Sequence, residues 1–394
     1  MSPASRTDIS YRVAGSASAA GSHACPDAVE SAIAALGGEA GLVLIFSSGD
    51  ADPDATASEA QEAAGGALVA GMTGTGVIDG RGLLKSGCSA IAFSSSLSTG
   101  IGAVEAGDSR RAGSDATAEA LAAVDDAAHR VLLLFVDSES RDQAESIAGA
   151  YAVAGGRIPL AGGAAGGLER ARFANGRALS GGVVAVAIGS RTPVGVGVAH
   201  GCVARGAPSI VTRSEGPNVV QLDGRPAETV YLEKLGVDGV DLDDREFETL
   251  AMVHPLAEPE LSGALRPRYV RARAADGTLV CATSVERNAA VAVCDQDPRA
   301  IIRSARTAVE DALSQLQGPA EAALVFDCAA RSAWFRGPLA AALAKRELAS
   351  LSAAFGEPAP TIGGVFTRGE IGRARGAKAD RNHSVVVTAF STAD

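Results

Sequence analysis

Cysteine is sparse and never arranged as a pair: the six residues at 25, 88, 202, 281, 294 and 328 include no CxxC spacing. That pattern gives neither a zinc-ligand set nor a disulfide framework, and it reads as reduced thiols in a cytoplasmic setting. Lysine is scarcer still, at Lys85, Lys234, Lys345 and Lys378 alone, an imbalance against arginine that reflects GC-rich codon usage rather than chemistry. Positive charge is short overall. A formal net charge of −11 excludes a sequence-independent grip on phosphate backbones or anionic lipid. Residues 1–20 lack an apolar run behind a basic start, so no secretory signal is expected. The most apolar later stretch, residues 183–199, is interrupted by Arg191 and Pro193 and falls short of a bilayer span, which takes about 20 residues. Neither a Walker A sequence nor a dinucleotide fingerprint with its acidic ribose partner occurs, which leaves nucleotide chemistry unsupported. Nucleic acid and membrane drop out as partners.

What remains is an ordinary globular composition, 47% apolar and 21% charged, in a chain of 394 residues. A single core seldom supports that length, so two or more domains are expected. Residues 1–24, polar and rich in Ser and Ala, read as a disordered or loosely held tail. Pro26 and Asp27 then open a helix ended by Gly37-Gly38. Continuous apolar runs at residues 42–46, 131–135 and 323–326 suit strands covered on both faces.

One order of elements occurs three times: strand, helix, a turn with two glycines five apart, and a Val/Ala-rich strand. The glycine pairs are Gly71 and Gly76, Gly162 and Gly167, and Gly364 and Gly369. Glycine permits positive φ and close backbone approach. The plain reading is a turn the fold needs, and the sharper one is that the third turn also lines a pocket. Between the second and third copies, alternation over residues 192–224 and 269–283, with turns at Asp223-Gly224 and Asp276-Gly277, indicates antiparallel hairpins. Residues 236–263, acidic and Pro-containing, read as a solvated loop or crossing segment, and residues 299–317 as an amphipathic helix. The expected architecture is α/β: two packed domains with mixed β-sheets flanked by helices, built from repeated strand-helix-Gly turn-strand units. The division falls near residues 214–224, giving 25–220 and 221–394.

The third copy is read as the polar one, with charged side chains at its turn. Asp327, Cys328 and Arg331 stand just past the carboxyl end of an apolar strand, where α/β sheets hold ligands, and Thr367, Arg368 and Glu370 lie on the turn. A guanidinium fork beside a carboxylate is what an amino acid or other zwitterion requires. Each residue has a plainer role open to it. Cys328 can be a packing residue, Asp327 and Arg331 can pair with each other, and Glu370 can serve a backbone amide. A reactive Cys328 needs a lowered thiol pKa, which Arg331 or the start of a following helix would supply; His383 would then act as base. His200, among glycine and small residues, has room for a flat macrocycle and an imidazole that suits haem iron, against the commoner structural role of a lone histidine. His254, next to Pro255, has less in its favour.

The stretch Ile362-Gly363-Gly364-Val365-Phe366-Thr367-Arg368-Gly369-Glu370-Ile371, with Asn382 and residues 385–387 behind it, resembles the closing signature of the FIST carboxyl-terminal domain. Residues 326–331 and the turn at 222–227 resemble it too. Residues 71–76 and 162–167 and His200-Gly201-Cys202 are similar to the FIST amino-terminal domain, and the resemblance covers residues 40–390. It implies an intracellular sensory module for a small ligand. Some members bind haem and report nitric oxide to signalling partners, and eukaryotic members are fused to an F-box. This chain departs from the pattern in two places. Gly74 and Val77 stand where the family tends to carry Thr and Glu, and Arg381-Asn382-His383-Ser384 stands where it usually shows His-Asn-Gln-Thr. No F-box, kinase, cyclase or methyl-acceptor segment occurs in the sequence, which reads as a stand-alone bacterial-type module.

The resemblance and the residues together lead to a cytoplasmic sensor of an amino acid or related metabolite that signals through a separate partner protein. Its ligand-binding residues are Asp327, Cys328, Arg331, Thr367, Arg368, Glu370 and Asn382, with no cofactor. One alternative is a haem-binding gas sensor with His200 as iron ligand. The other is a cysteine-nucleophile hydrolase or transferase using Cys328 and His383.

Overall fold

The three apolar runs become the strands Ala40–Ser48, His129–Val136 and Ala322–Cys328. The computed structural model describes residues 13–21, 23–105, 107–138, 143–237, 242–260, 263–333, 340–373 and 379–391. Each run pairs in parallel with the glycine-bearing strand of its own copy, Leu68–Thr73, Leu160–Ala164 and Thr361–Thr367. A parallel pair needs a crossover, and the helices Pro53–Ala64, Gln143–Ala154 and Ala340–Phe355 lie on these connections. Successive strand side chains point to opposite faces. Leu42, Leu44 and Phe46 therefore enter one shared core with Leu133, Phe135, Leu324 and Phe326. Their alternates Val43 and Ile45, Leu132 and Leu134, and Ala323 and Val325 fall in three separate clusters, one under the helices of each copy. Cover on both faces is why the runs are uninterrupted rather than alternating.

Each copy's sheet has six strands in one repeated order: an outer strand, the closing strand, the parallel pair, and a two-stranded ribbon. The ribbon always comes from a different copy. Val77–Asp79 and Gly82–Leu84 complete the third sheet, Arg172–Ala174 and Arg177–Leu179 the first, and Glu370–Arg373 and Asp380–Arg381 the second. Three backbone bonds run the same cycle. The Thr75 N–H donates to the Phe366 carbonyl at 3.0 Å, Gly166 to Thr73 at 3.0 Å, and Arg368 to Ala164 at 3.1 Å. At the centre Phe46, Phe135 and Phe326 meet, with ring centroids 6.2, 5.8 and 6.1 Å apart.

The first glycine of each pair answers one packing need. A Cβ on Gly71 would stand 1.8 Å from the Ile45 carbonyl oxygen, one on Gly162 2.1 Å from that of Leu134, and one on Gly364 2.2 Å from that of Val325. All three are thus fixed by close approach to the neighbouring parallel strand. Between the second and third copies a nine-stranded sheet, Cys202–Ala204 through Ala290–Gln296, forms around Tyr231, Phe247 and Leu256. Its turns are the expected ones, with Asp223 and Gly224 at φ of 53° and 77°.

Several expectations are overturned. Residues 14–19, assigned to a loose tail, form the strand Ala14–Ala19 against Gly87–Ser94, while residues 1–12 lie outside the described residues. The strand is made of Ala, Gly and Ser and so gave no apolar signal. Within the expected loop at 236–263 stands the helix Asp244–Val253, opened by a reciprocal cap between Asp243 and Glu246 and buried through Phe247 and Ala251. Cys25 and Cys88 are joined in a disulfide that ties the helix Ala24–Leu36 to Gly87–Ser94, whereas Cys202, Cys281, Cys294 and Cys328 are free and buried. Hydrogen bonding also crosses the division at residue 220, since Gly195–His200 pairs with Ser384–Phe390 in the third sheet. Among the described residues no helix is long and apolar enough to cross a membrane.

Replacing Phe326 with Ala removes one ring from the shared core, and the expected loss is about 3–5 kcal/mol, read as a lower urea midpoint at unchanged slope. Phe46→Ala and Phe135→Ala should cost similar amounts. A loss below about 1 kcal/mol in all three would show that this contact does not hold the copies together.

Candidate functional site

The strand Ala322–Cys328 is buried along its whole length, and its last two residues are polar. The chain then enters the short helix Ala329–Ala333, which places Arg331 one turn beyond Asp327. The Arg331 Nε donates to Asp327 Oδ1 at 2.8 Å, and its remaining nitrogens donate to Ser304 Oγ at 2.9 Å, the Ile301 carbonyl at 3.2 Å, and Glu347. Ser304 and Ile301 belong to the helix Pro298–Leu313, and Glu347 to Ala340–Phe355. One guanidinium thus bridges two carboxylates and two helices with no solvent exposure. Among the described residues Asp327 Oδ2 has no hydrogen-bond partner.

Burial is the largest influence on every acid here. It raises Asp327 above the usual carboxylate range although Arg331 pulls the other way. Burial, reinforced by Asp327, pushes Glu347 up to about 8 against the pull of Arg331. Arg331 itself stays charged, because Glu347 and Asp327 outweigh the cost of burying it. Glu370 is likewise pushed up to about 8 by burial. Its surroundings fit the neutral form. Thr367 Oγ1 lies 3.2 Å from the Asp327 carbonyl and 2.7 Å from Glu370 Oε1, but a hydroxyl has one proton, and the carbonyl can only accept. A protonated Glu370 donating to Thr367 satisfies both, while Glu370 Oε2 accepts from the Ser384 N–H at 3.2 Å.

Cys328 joins this cluster, its sulfur facing the carboxyl of Glu370 and the backbone N–H groups of Ala330 and His383. Burial and the neighbouring Glu370 push the thiol well above its ordinary range, so the nucleophile reading has no support in this arrangement. His383 is close in backbone, but its Nδ1 bonds Gln296 Nε2 at 2.7 Å and its ring meets Tyr269 edge-on at 5.5 Å. Burial lowers it to about 3, and its Nε2 has no partner among the described residues. His200 is half-buried. Its Nδ1 accepts the Cys202 N–H at 3.2 Å and the ring hydrogen-bonds the Leu265 backbone, so neither side of the imidazole is presented to an iron, and the haem reading does not fit these residues. His254 bonds Asp295 at 3.0 Å.

Two expected site residues stand apart. Arg368 is exposed, on the outer side of the turn that buries Glu370. Asn382 accepts from the Tyr269 N–H at 3.2 Å and from Thr283 at 3.4 Å, which makes it a clasp between the third copy and the nine-stranded sheet. The same junction holds a buried group of four charges that sequence reading missed. Arg266 reaches Glu258 at 2.6 Å and Asp380 at 3.1 Å, and Arg268 reaches Glu258 at 2.7 Å and Asp380 at 2.6 Å. Glu347 was missed as well, although it interrupts an apolar helical face at Ala344, Leu348 and Leu351, a spacing that marks a core position. Among the described residues, surface clefts lie beside Leu121 and Ile158 and beside Cys25 and Cys88, away from this cluster.

The raised acids set a pH dependence. Glu370 binds its proton more tightly folded than unfolded, so its contribution is complete below the ordinary carboxylate range and lost as pH rises through about 8. Stability measured by urea unfolding should therefore fall between about pH 5 and pH 9, and Glu370→Gln should flatten that fall by about one proton. An unchanged slope in the variant would mean Glu370 is ionised in the folded protein.

No curated protein matches the chain. Among solved structures, a cyanuric acid hydrolase from A. caulinodans is similar at 12% identity and a TM-score of 0.37, covering 97% of this chain and 99% of that one, a likeness on which nothing further rests. Residues 41–225 match the model of the FIST N domain and residues 227–373 that of the FIST C domain. These two matches take in nearly the whole chain, which therefore belongs to the FIST family, whose domains are sensory modules for small ligands in signal transduction.

Proposed function

We propose that this chain senses a small polar metabolite carrying a carboxylate and an amine, an amino acid or a close relative, at the buried cluster of the third copy, and signals through a separate protein. The observation that carries the reading is Asp327 Oδ2, a carboxylate oxygen without a hydrogen-bond partner among the described residues, beside a guanidinium that is otherwise occupied. Arg331 would hold the ligand carboxylate in the place Glu347 takes now, and the free oxygen of Asp327 would receive the amine. Glu347 suits that exchange. Pushed up to about 8, it is a largely neutral partner near pH 7, and an ionised ligand carboxylate makes the stronger hydrogen bonds to Arg331. Thr367 and Glu370 hold the Asp327 backbone and the adjoining turn in position.

The exchange also supplies an output. Glu347 rides on Ala340–Phe355, so losing its bond to Arg331 frees that helix from Pro298–Leu313 at this point. A ligand can shift such an equilibrium only by its difference in affinity for the two arrangements, and here that difference lies in what Arg331 binds. Arg368, exposed on the third turn, is not needed for ligand contact in this scheme.

A thermal-shift screen of amino acids and their amine-free analogues tests the reading. At least one amino acid should raise the melting temperature of the wild type. Asp327→Asn keeps the shape of the side chain and should weaken that ligand by about tenfold, the loss of one charge-assisted bond. Binding of the amine-free analogue should hardly change. Equal shifts for the amino acid in wild type and variant would remove the ligand from this cluster.

A further inference from the structure

The threefold build gives each copy the same crevice past the carboxyl end of its first strand, and the strand registers show which residues correspond. The ribbon residues Val77, Arg172 and Glu370 pair with Val365, Met72 and Gly163, each the residue after the first glycine of the neighbouring sheet. Phe46, Phe135 and Phe326 share one register, so Ser48, Asp137 and Cys328, two residues further on, correspond as well. Equivalent residues face each other. In the third copy Glu370 meets Cys328, and in the second the Arg172 Nη1 stands 3.9 Å from Asp137 Oδ1. The second copy thus places a guanidinium where the third holds a carboxylic acid.

Arg172 is buried as completely as Arg331, but its donors are put to different use. All three nitrogens of Arg331 are bonded. In Arg172 the Nη1 donates to the Arg170 carbonyl at 3.0 Å, while Nε and Nη2 have no hydrogen-bond partner among the described residues. Those two nitrogens form one edge of the guanidinium, the fork that meets both oxygens of a carboxylate. Asp137 lies beyond hydrogen-bond reach and is half-buried, so it offsets little of the cost of enclosing this charge. Burial outweighs the pull of Asp137 and lowers the Arg172 pKa, but a guanidinium keeps its charge at neutral pH. Ser138, next along the chain, has a buried hydroxyl that is also without a partner among the described residues. Buried polar atoms are ordinarily bonded.

We propose that this second crevice binds a small molecule through a single carboxylate, which Arg172 takes with the fork formed by Nε and Nη2. Asp137 and Ser138 are half-buried, so the crevice reaches the surface on their side. Charge narrows the choice of anion. With the Asp137 carboxylate beside the fork, a doubly charged phosphate meets more repulsion than a singly charged carboxylate. The proposal shares no residue with the cluster of the third copy and does not depend on that reading.

Titration calorimetry of the full chain with acetate, pyruvate and inorganic phosphate as probes decides the matter. At least one of the two carboxylates should bind to the wild type. Arg172→Lys keeps the charge but lacks the fork, and should weaken that carboxylate by about tenfold. Asp137→Asn removes the neighbouring negative charge and should tighten it several-fold, a gain that a purely structural Arg172 would not produce. The proposal is overturned if phosphate binds and neither carboxylate does, if no probe binds, or if the carboxylate binds equally well to the wild type and Arg172→Lys, which would place it elsewhere, the third copy included. Should Arg172→Lys fail to fold, Asp137→Asn decides: tighter binding supports the proposal, and equal or weaker binding overturns it.

Discussion

Three phenylalanines in mutual contact set the frame on which the rest of the structure hangs. Phe46, Phe135 and Phe326 each stand at the same place in their strands, and their meeting forces the three parallel strand pairs to converge with their carboxyl ends around one centre. A buried aromatic contributes through area, and the edge-on contacts add a directional preference. The cyclic bonds from Thr75, Gly166 and Arg368 then fix the register of one copy on the next. Exchange of ribbons follows from the same geometry. Once the strand ends converge, the chain leaving each glycine turn is nearer the neighbouring sheet than its own, and its ribbon pairs there. No copy has a complete sheet by itself, so the three stand or fall together.

Equivalent crevices with unequal contents are the consequence. After the phenylalanine the copies read Ser47-Ser48, Val136-Asp137 and Asp327-Cys328. In the third copy the polar residues drew in a guanidinium and two further acids. Such a group is a poor source of stability, because removing charges from water costs several kcal/mol per ion and well-packed apolar residues often serve as well. The four charges around Arg268 can be read as a clasp, since they join the nine-stranded sheet to the ribbon at Asp380. Arg331 has no comparable task. It joins elements that the core already packs together, which leaves its two carboxylates and the unpartnered oxygen of Asp327 to be explained by something other than folding.

Much of this was legible in the sequence, and what escaped did so for physical reasons. Uninterrupted apolar runs announce strands covered on both faces, and a fivefold glycine spacing repeated in one order of elements announces the triplication. Both are local patterns. Which sheet a ribbon joins is decided by the convergence at Phe46, Phe135 and Phe326, a contact between residues about as far apart as domains, and no local pattern carries it. The disulfide between Cys25 and Cys88 escaped for the same reason, its partners being 63 residues apart with no paired spacing. The strand Ala14–Ala19 escaped because Gly15 is pressed against the backbone of Ala24–Leu36, where only the smallest residues fit and apolar character cannot show. By contrast the helix Asp244–Val253 was there to be read: Asp243 and Glu246 have the spacing of a reciprocal cap, and the acidity of the stretch masked it. At the site, Asp327, Cys328, Thr367 and Glu370 were legible from their place at a strand end. Glu347 and Ser304 were not, because a lone polar residue on a helix declares itself only when its apolar neighbours are weighed.

On the proposed reading, the magnitude of the switch is set by how Arg331 is shared. Arg331 keeps its charge, so its bond to a protonated Glu347 is charge-assisted already, and an ionised ligand carboxylate adds the attraction of a second charge. A gain of about 1–2 kcal/mol at that contact would be a factor of about 5–30 in a two-state equilibrium. That range is the usual scale of coupling between sites. A fully ionised Glu347 would compete with the ligand on equal terms and leave almost no difference for the helix to respond to. A glutamine there would cede its place without resistance but would also hold the helix only weakly beforehand. An acid whose proton is held by burial, opposite a guanidinium that keeps its charge, lies between these limits. The burial that makes this cluster expensive is the same burial that makes it responsive.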